Sequence, residues 1–445
     1  MRKPAAALVL ALLFSAVAAE RPFVVQVVDS VTGRGVPLVE LRTVNQRAWY
    51  TDSNGIAAIS DPWCMGRDVF FQIHSHGYTF EEKGVVDGPG KKLRVEAGGR
   101  ARLLIRRDNI AERLYRITGA GIYADSVEAG IAAPLKEPLL NGKVTGQDTA
   151  VAIPYRGRIY WFWGDTNGPA NWNFNVAGAT SDPKDDPDRA VNLNYFVDAS
   201  GFAKKMFPLD RPGPVWIEGL MTVRDLAGRE RLVATYTRVK DLSTMAERGI
   251  AVFDDDAKEF RVLAQFAGKR GHRSSHPVRV VEGDRAWWYL YPRYRVPDEW
   301  NAVQLEGAYE AYMCEPAGAP CEWKAGAPFK PLGDVGSMAW NEYRKKWVLI
   351  SGARGDVNYS EADRPEGPWN CRTRIVQHDR YNFYNPVQHP FFERDGGRVV
   401  YFEGTYTKAF VNGAVATPLY DYNQIMYKVR LDDPRLRAAC GAISR

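Results

Sequence analysis

Between residues 148 and 429 the chain returns five times to one arrangement: an opening run of β-branched, small or aromatic residues, a turn, then further short apolar or alternating runs. Residues 148–165 make the first round. The second opens at 215–223 and continues through 231–237 and 249–253. The third opens at 276–280, with 286–291 and 308–313 following, and the fourth at 336–340, with 346–351 and 357–360. The fifth opens at 385–391 and continues through 398–403 and 424–429. Openings about 50 to 70 residues apart leave room for a four-stranded sheet each time. Five sheets set around one axis make a five-bladed β-propeller. A large β-sandwich is the alternative, and five rounds without helical periodicity favour the propeller. The expected fold is therefore all-β, a five-bladed β-propeller preceded by a small β-sandwich.

The first round carries the strongest chemical signal. Residues 149–153 read as a short strand ending at Pro154, Arg156-Gly157-Arg158 as a turn, and 159–163 as a strand apolar on both faces. Asp148 precedes the first strand and Asp165 follows the second. In an antiparallel hairpin the start of one strand lies beside the end of the next, so the two carboxylates share a rim. Like charges brought together cost free energy unless something uses them. Asp165-Thr166-Asn167-Gly168 also suits a plain tight turn, and Asp148 a plain backbone hydrogen bond.

The rest of the chain frames this segment. Residues 1–19 have a basic start, an apolar stretch and small residues at 16–19, the pattern of a secretory signal, so an exported protein, secreted or periplasmic, is expected. No later stretch reads as a transmembrane helix. Residues 20–106 form a first unit of short strands and turns, 107–117 a connector with a short helical piece at 109–116, and 118–435 the propeller. His74 and His76 share one face of a strand, a spacing that suits a metal, but no third ligand is visible nearby. Of five cysteines, Cys314 and Cys321 flank a turn that brings two strand ends together; Cys371 with Cys440 is the candidate second pair, and one thiol stays unpaired in a monomer. A net charge of +6 without a basic block argues against a nucleic-acid partner. Nucleophile-elbow, Walker and HExxH motifs are absent, which leaves esterase, nucleotide and zinc-protease chemistry without an anchor.

In a propeller the first strand of each blade lines the central channel. Asp148, Glu218, His276, Ser337 and the segment from Asn385 through Gln388 to His389 would then converge at one mouth. Glu403 and the loop residues Asp421, Tyr422 and Asn423 lie near it. Trp161, Trp163, Trp172, Tyr381 and Tyr384 are expected as aromatic rim. Flat rings stack on the C–H faces of sugars while carboxylates and amides bind hydroxyls, so the funnel reads as a glycan site. Asp148, Asp165 and Glu218 are the candidate catalytic carboxylates, and Trp163, His276, Tyr384, Asn385, Gln388, Glu403 and Asn423 the candidate substrate contacts. No cofactor is expected, although the fold leaves room for a structural calcium ion on the channel axis.

Two resemblances follow. V-x-D-x-x-T-G-x-G-V-P at residues 27–37, followed by T-D-S-N-G at 51–55, resembles the transthyretin-like or carboxypeptidase-regulatory-like β-sandwich over about 85 residues. Such modules are spacers or adhesion units. G-Q-D-T-A-V-A-I-P-Y-R-G-R-I-Y-W-F-W-G-D-T-N at 146–167 resembles the opening blade of a bacterial five-bladed propeller family that includes endo-D-arabinanases, and G-S-M-A-W-N-E-Y-R-K-K-W-V-L-I at 336–350 is similar to it too. The resemblance covers roughly 300 residues in outline and is sharp over about 20. It implies a glycoside hydrolase whose catalytic pair matches Asp148 and Asp165. The family's Asp-Gly is replaced here by Asp148-Thr149. The reading from another class is a non-catalytic glycan-binding or adhesion propeller.

Overall fold

The structure, a computed structural model, describes residues 21–84, 88–169, 172–241, 244–267, 276–314, 320–327, 335–353, 355–379 and 381–441. Strands between Phe23 and Arg107 form a sandwich of two four-stranded sheets. Strict alternation builds it: in Arg67–His74 the inward Val69, Phe71 and Ile73 are buried between more open neighbours. They pack on Val25, Val27, Leu41 and Leu103. The turns singled out in the sequence are held by aspartates. Asp29 accepts the N–H groups of Val31 and Thr32, and Asp52 those of Asn54 and Ile56.

Five further sheets follow as blades of a propeller. Blade 1 runs from Gly146–Gln147 and Val151–Tyr155, both paired with Arg158–Gly168, out to Trp172–Ser181 and Asn194–Tyr195. Blade 2 begins with Val215–Arg224, blade 3 with Val278–Glu282, blade 4 with Val335–Asn341 and blade 5 with Asn382–Gln388. The expected helical piece at 109–116 is instead the strand Glu112–Arg116, which pairs with Asn423–Arg430 as the outer strand of blade 5 and closes the ring. Tertiary partners override local preference here. Lys428 lies 3.5 Å from Glu112, while Arg113 donates to Pro37 O and His76 O.

The same strand joins the two units. Leu38 of the sandwich packs into one core with Val348, Phe383, Phe402 and Tyr427 of blades 4 and 5. Its N–H donates to the Tyr420 hydroxyl, which in turn donates to Thr51 O at 2.7 Å. His76 lies at this seam, its Nε2 2.9 Å from the Tyr406 hydroxyl and its ring 5.6 Å from that of His74. Among the described residues no group of three His, Cys, Asp or Glu can hold a metal.

The aromatic wealth of the sequence fills the space between blades. Phe162, Phe253 and Phe260 knit blade 1 to blade 2, and Trp161 and Trp163 stack beside Tyr401 and Met426 of blade 5. Trp161, Trp163 and Tyr381, expected on the rim, are thus enclosed in the core. The side chain of Trp172 lies outside the described residues. Disulfides join Cys314 to Cys321 and Cys371 to Cys440, and Cys64 is a buried free thiol. No helix among the described residues is long and apolar enough to cross a membrane.

Candidate active site at the channel mouth

The hairpin of blade 1 turns at Arg156-Gly157, both with positive φ, the two-residue turn whose twist suits paired strands. Its register places Val151 opposite Phe162 and Gln147 opposite Thr166, and so Asp148 opposite Asp165. The strand is interrupted between Gln147 and Val151, and the backbone there departs from the pleat. Asp148 N–H donates to Asp165 O at 3.1 Å, while its own Oδ1 accepts the Asp165 N–H at 2.7 Å. Gly164 makes room for that carboxyl: a methyl group there would sit 2.5 Å from Asp148 Oδ1. Trp163-Gly164-Asp165 therefore has a steric reason for its glycine.

Blade 5 supplies the other side. The Tyr384 hydroxyl donates to Asp148 Oδ2 at 2.7 Å, and Tyr422 hydrogen-bonds the same carboxyl. Asp165 is held from two blades. Trp216 Nε1 of blade 2 donates to its Oδ1 at 2.8 Å, and the Asn175 amide of blade 1 donates to the same oxygen. Both aspartates are half-buried. Burial first, and the facing Asp165 carboxylate second, raise the Asp148 pKa from 3.8 to about 6, against the hydrogen bonds that favour its ionised form. Burial and the Asp148 charge push the Tyr384 and Tyr422 phenols far above 10, so both remain donors.

Three non-glycine residues around Asp148 sit in the left-handed region: Thr149 at φ +50°, Asn385 at +48° and Tyr422 at +63°. For a β-branched threonine this is an uncommon conformation, and such outliers concentrate at functional sites. Thr149 takes the geometry that a glycine after the first aspartate would adopt freely. It is held there by Asn385 Nδ2 on its Oγ1 at 2.8 Å and by Thr405 Oγ1 on its N–H at 3.0 Å.

The remaining candidates fall elsewhere. Glu218 is half-buried at a β-bulge between Ile217 and Leu220, two residues after Trp216. His276 bridges to Ser337 in parallel, and burial with His389 nearby holds its pKa down to about 3. Gln388 is buried and its amide donates to Ser337 O and Val348 O. His389 and Glu403 form a wholly enclosed pair at 2.8 Å. Asn423 is buried and latches Leu419 O and Asp421 O. Trp163, Gln388, Glu403 and Asn423 are thus buried in the interior. The sequence reading left out Trp216 and Asn175, and placed Tyr422 near the mouth without giving it a role. An asparagine in the otherwise apolar run 174–179, directly across from Asp165, was the available signal.

No family model matches the chain, and no curated protein matches it. Solved structures with some similarity include a putative exo-β-1,3-galactanase from Bifidobacterium bifidum, at 14% identity over 72% of this chain and 94% of that one, with a TM-score of 0.40. An α-L-arabinanase from Penicillium chrysogenum is 12% identical over 66% of this chain and 96% of that one, with a TM-score of 0.35. Levansucrase from Bacillus subtilis is 10% identical over 59% and 79%, also at 0.35. Scores this low carry no argument; the propeller assignment rests on the strand pairings themselves.

Proposed function

We propose that the protein is an exported glycoside hydrolase that cleaves a poly- or oligosaccharide, with furanosidic polymers such as arabinan the first candidates. Asp148 is the proton donor and Asp165 the nucleophile or base, around an oxocarbenium-like transition state. The observation that carries this reading is the facing pair itself, Asp148 across the hairpin from Asp165 with its Oδ1 on the Asp165 N–H at 2.7 Å, where burial and the neighbouring carboxyl raise the Asp148 pKa to about 6. A carboxyl held toward its protonated form by burial and a facing acid is what general-acid catalysis needs. Glu218, on the same inner strand as Trp216, is proposed as a third carboxylate that tunes the pair. The chain is taken to work as a monomer.

One observation favours a second reading, a glycan-binding module without turnover. Both oxygens of Asp148 already accept hydrogen bonds, from Asp165 N–H and from Tyr384. The test is a screen of the mature protein against arabinans, other furanose polymers and acidic polysaccharides, with Asp148→Asn and Asp165→Asn beside it. Each variant should keep its fold and lose at least about a hundredfold in turnover, the low end for a positioned acid or base. Unchanged turnover in both variants would exclude the assignment, and glycan binding without turnover by wild type would establish the module.

A further inference from the structure

Of the aromatics expected at the rim, Trp161, Trp163 and Tyr381 are enclosed while Tyr384 meets Asp148, and a further residue stands open beside Tyr384. Phe410 is 88% exposed, unusual for a ring of its size, with its backbone at φ +65°. Its ring meets that of Tyr384 edge-on, centroids 6.4 Å apart and planes at 71°. Tyr384 is the residue whose hydroxyl donates to Asp148 Oδ2. Phe410 rides on the connection between Val399–Thr407 and Asn423–Arg430, the segment that also delivers Tyr422 to Asp148.

That segment is fastened at both ends. Lys408 N–H donates to the Asp421 carboxylate at 2.7 Å, and the Tyr381 hydroxyl donates to the same carboxylate at 2.9 Å. The Asn382 amide donates to Ala409 O, and Tyr422 N–H to Tyr406 O at 2.8 Å. A fixed backbone therefore holds a large apolar ring out in water, one side chain away from the candidate proton donor. Among the described residues Phe410 is not part of the core cluster that blade 5 shares with blade 4.

We propose that Phe410, seated on Tyr384, is the platform on which the glycan stacks next to Asp148. The C–H face of a furanose or pyranose ring rests on the Phe410 ring, its hydroxyls turned toward the phenol and the carboxylates. This rests on the glycoside hydrolase reading of the same site.

Phe410→Ala and Phe410→Trp separate the two ideas. The probes are arabinan, inulin and polygalacturonate, with kinetics on whichever the wild type cleaves and affinity measured by calorimetry in the Asp148→Asn background. Phe410→Ala should raise KM about tenfold, carry its loss in kcat/KM mainly through KM, weaken binding by a similar factor and melt with wild type; Phe410→Trp should restore KM. Wild-type KM and affinity in Phe410→Ala, on a glycan that the protein does cleave, overturn the platform and leave the hydrolase reading standing. A loss confined to kcat overturns it too. Failure of the wild type to bind or cleave any of the three overturns both readings together.

Discussion

Two acid-bearing constellations draw on blade 5, and they are built in opposite ways. At the mouth, Asp148 of blade 1 faces Asp165, and the donors around them come from Asn175, Trp216, Tyr384 and Tyr422. Like charge faces like charge, and both residues stay half-open to solvent. In the interior, Glu403 of blade 5 faces the imidazole of His389, and neither side chain has any exposure. The second pair is joined by a hydrogen-bond contact of 2.8 Å and closed from solvent; the first sets two carboxyls side by side at the surface. An acid whose charged form is costly and left accessible is available for chemistry, whereas a polar pair that satisfies itself out of reach of solvent is part of the packed interior.

The sharpest way to break this contrast is to remove one carboxylate from each. Asp148→Asn should abolish most turnover, at least about a hundredfold, and leave the melting transition at neutral pH no lower than wild type. Glu403→Gln should do the reverse. Disturbing an enclosed hydrogen-bonded pair should cost about 1 to 3 kcal/mol of stability, while the folded fraction keeps its turnover. Denaturant titration alongside specific activity reads both. A stable Glu403→Gln variant without activity would move that pair into the chemistry and erase the distinction.

The pH dependence of stability follows with a definite sign. Asp148 has a folded pKa of about 6 against an ordinary 3.8. Between those values the folded state binds more protons than the unfolded one, so stability falls as pH rises from about 4 to 6 and is level above. The size is on the order of 3 kcal/mol. Asp125 and Glu393 are also raised, to about 6 and about 7, so the wild-type slope alone does not isolate Asp148. The difference between wild type and Asp148→Asn does: the variant should be the more stable at pH 7 and lose that advantage by pH 4. Parallel curves for the two proteins would mean that the mouth carries no such charge cost.

How much of this was legible in the sequence differs between backbone and side chains. The five rounds of strands and the facing aspartates were readable because period-two patterning and hairpin geometry are local. The closing strand Glu112–Arg116 was not, because its charged residues are satisfied by Pro37, His76 and Lys428, far away in sequence. Nor was the destination of Trp161 and Trp163. An apolar strand fits a rim as well as a gap between blades until the neighbouring blade is in place. Phe410 escaped notice because it sits in a connection with no strand pattern.

A smaller effect tests the phenols. Tyr384 donates to the ionised form of Asp148 and so lowers its pKa, against burial and Asp165. Tyr384→Phe should raise Asp148 further. With Asp148 as the acid, the upper limb of the pH–rate profile should move up by about one pH unit, because Tyr422 remains to compensate in part. The rate at the optimum should fall about tenfold. A lower limb that moves up while the upper limb stays would assign Asp148 the role of base.

The smallest effect concerns the backbone beneath the pair, and here opposing terms nearly cancel. Thr149 holds φ at +50° directly after Asp148. A non-glycine residue in that region carries a cost of about 1 to 2 kcal/mol, which glycine escapes. Glycine in turn gives up the Asn385 hydrogen bond to Thr149 Oγ1, about 1 kcal/mol, and adds freedom to the unfolded chain. Thr149→Gly should therefore lie within about 1 kcal/mol of wild type. Thr149→Ala loses the same hydrogen bond and keeps the strain, so it should fall below Thr149→Gly by about 1 kcal/mol, the difference that glycine's freedom at positive φ makes. Denaturant midpoints for the three proteins rank them. If alanine matches glycine, the backbone is relaxed and the mouth stores charge alone. If alanine falls below, the mouth is strained in its backbone as well as its charge, and Thr149→Gly should loosen the placement of Asp148 enough to lower turnover several-fold while barely moving stability.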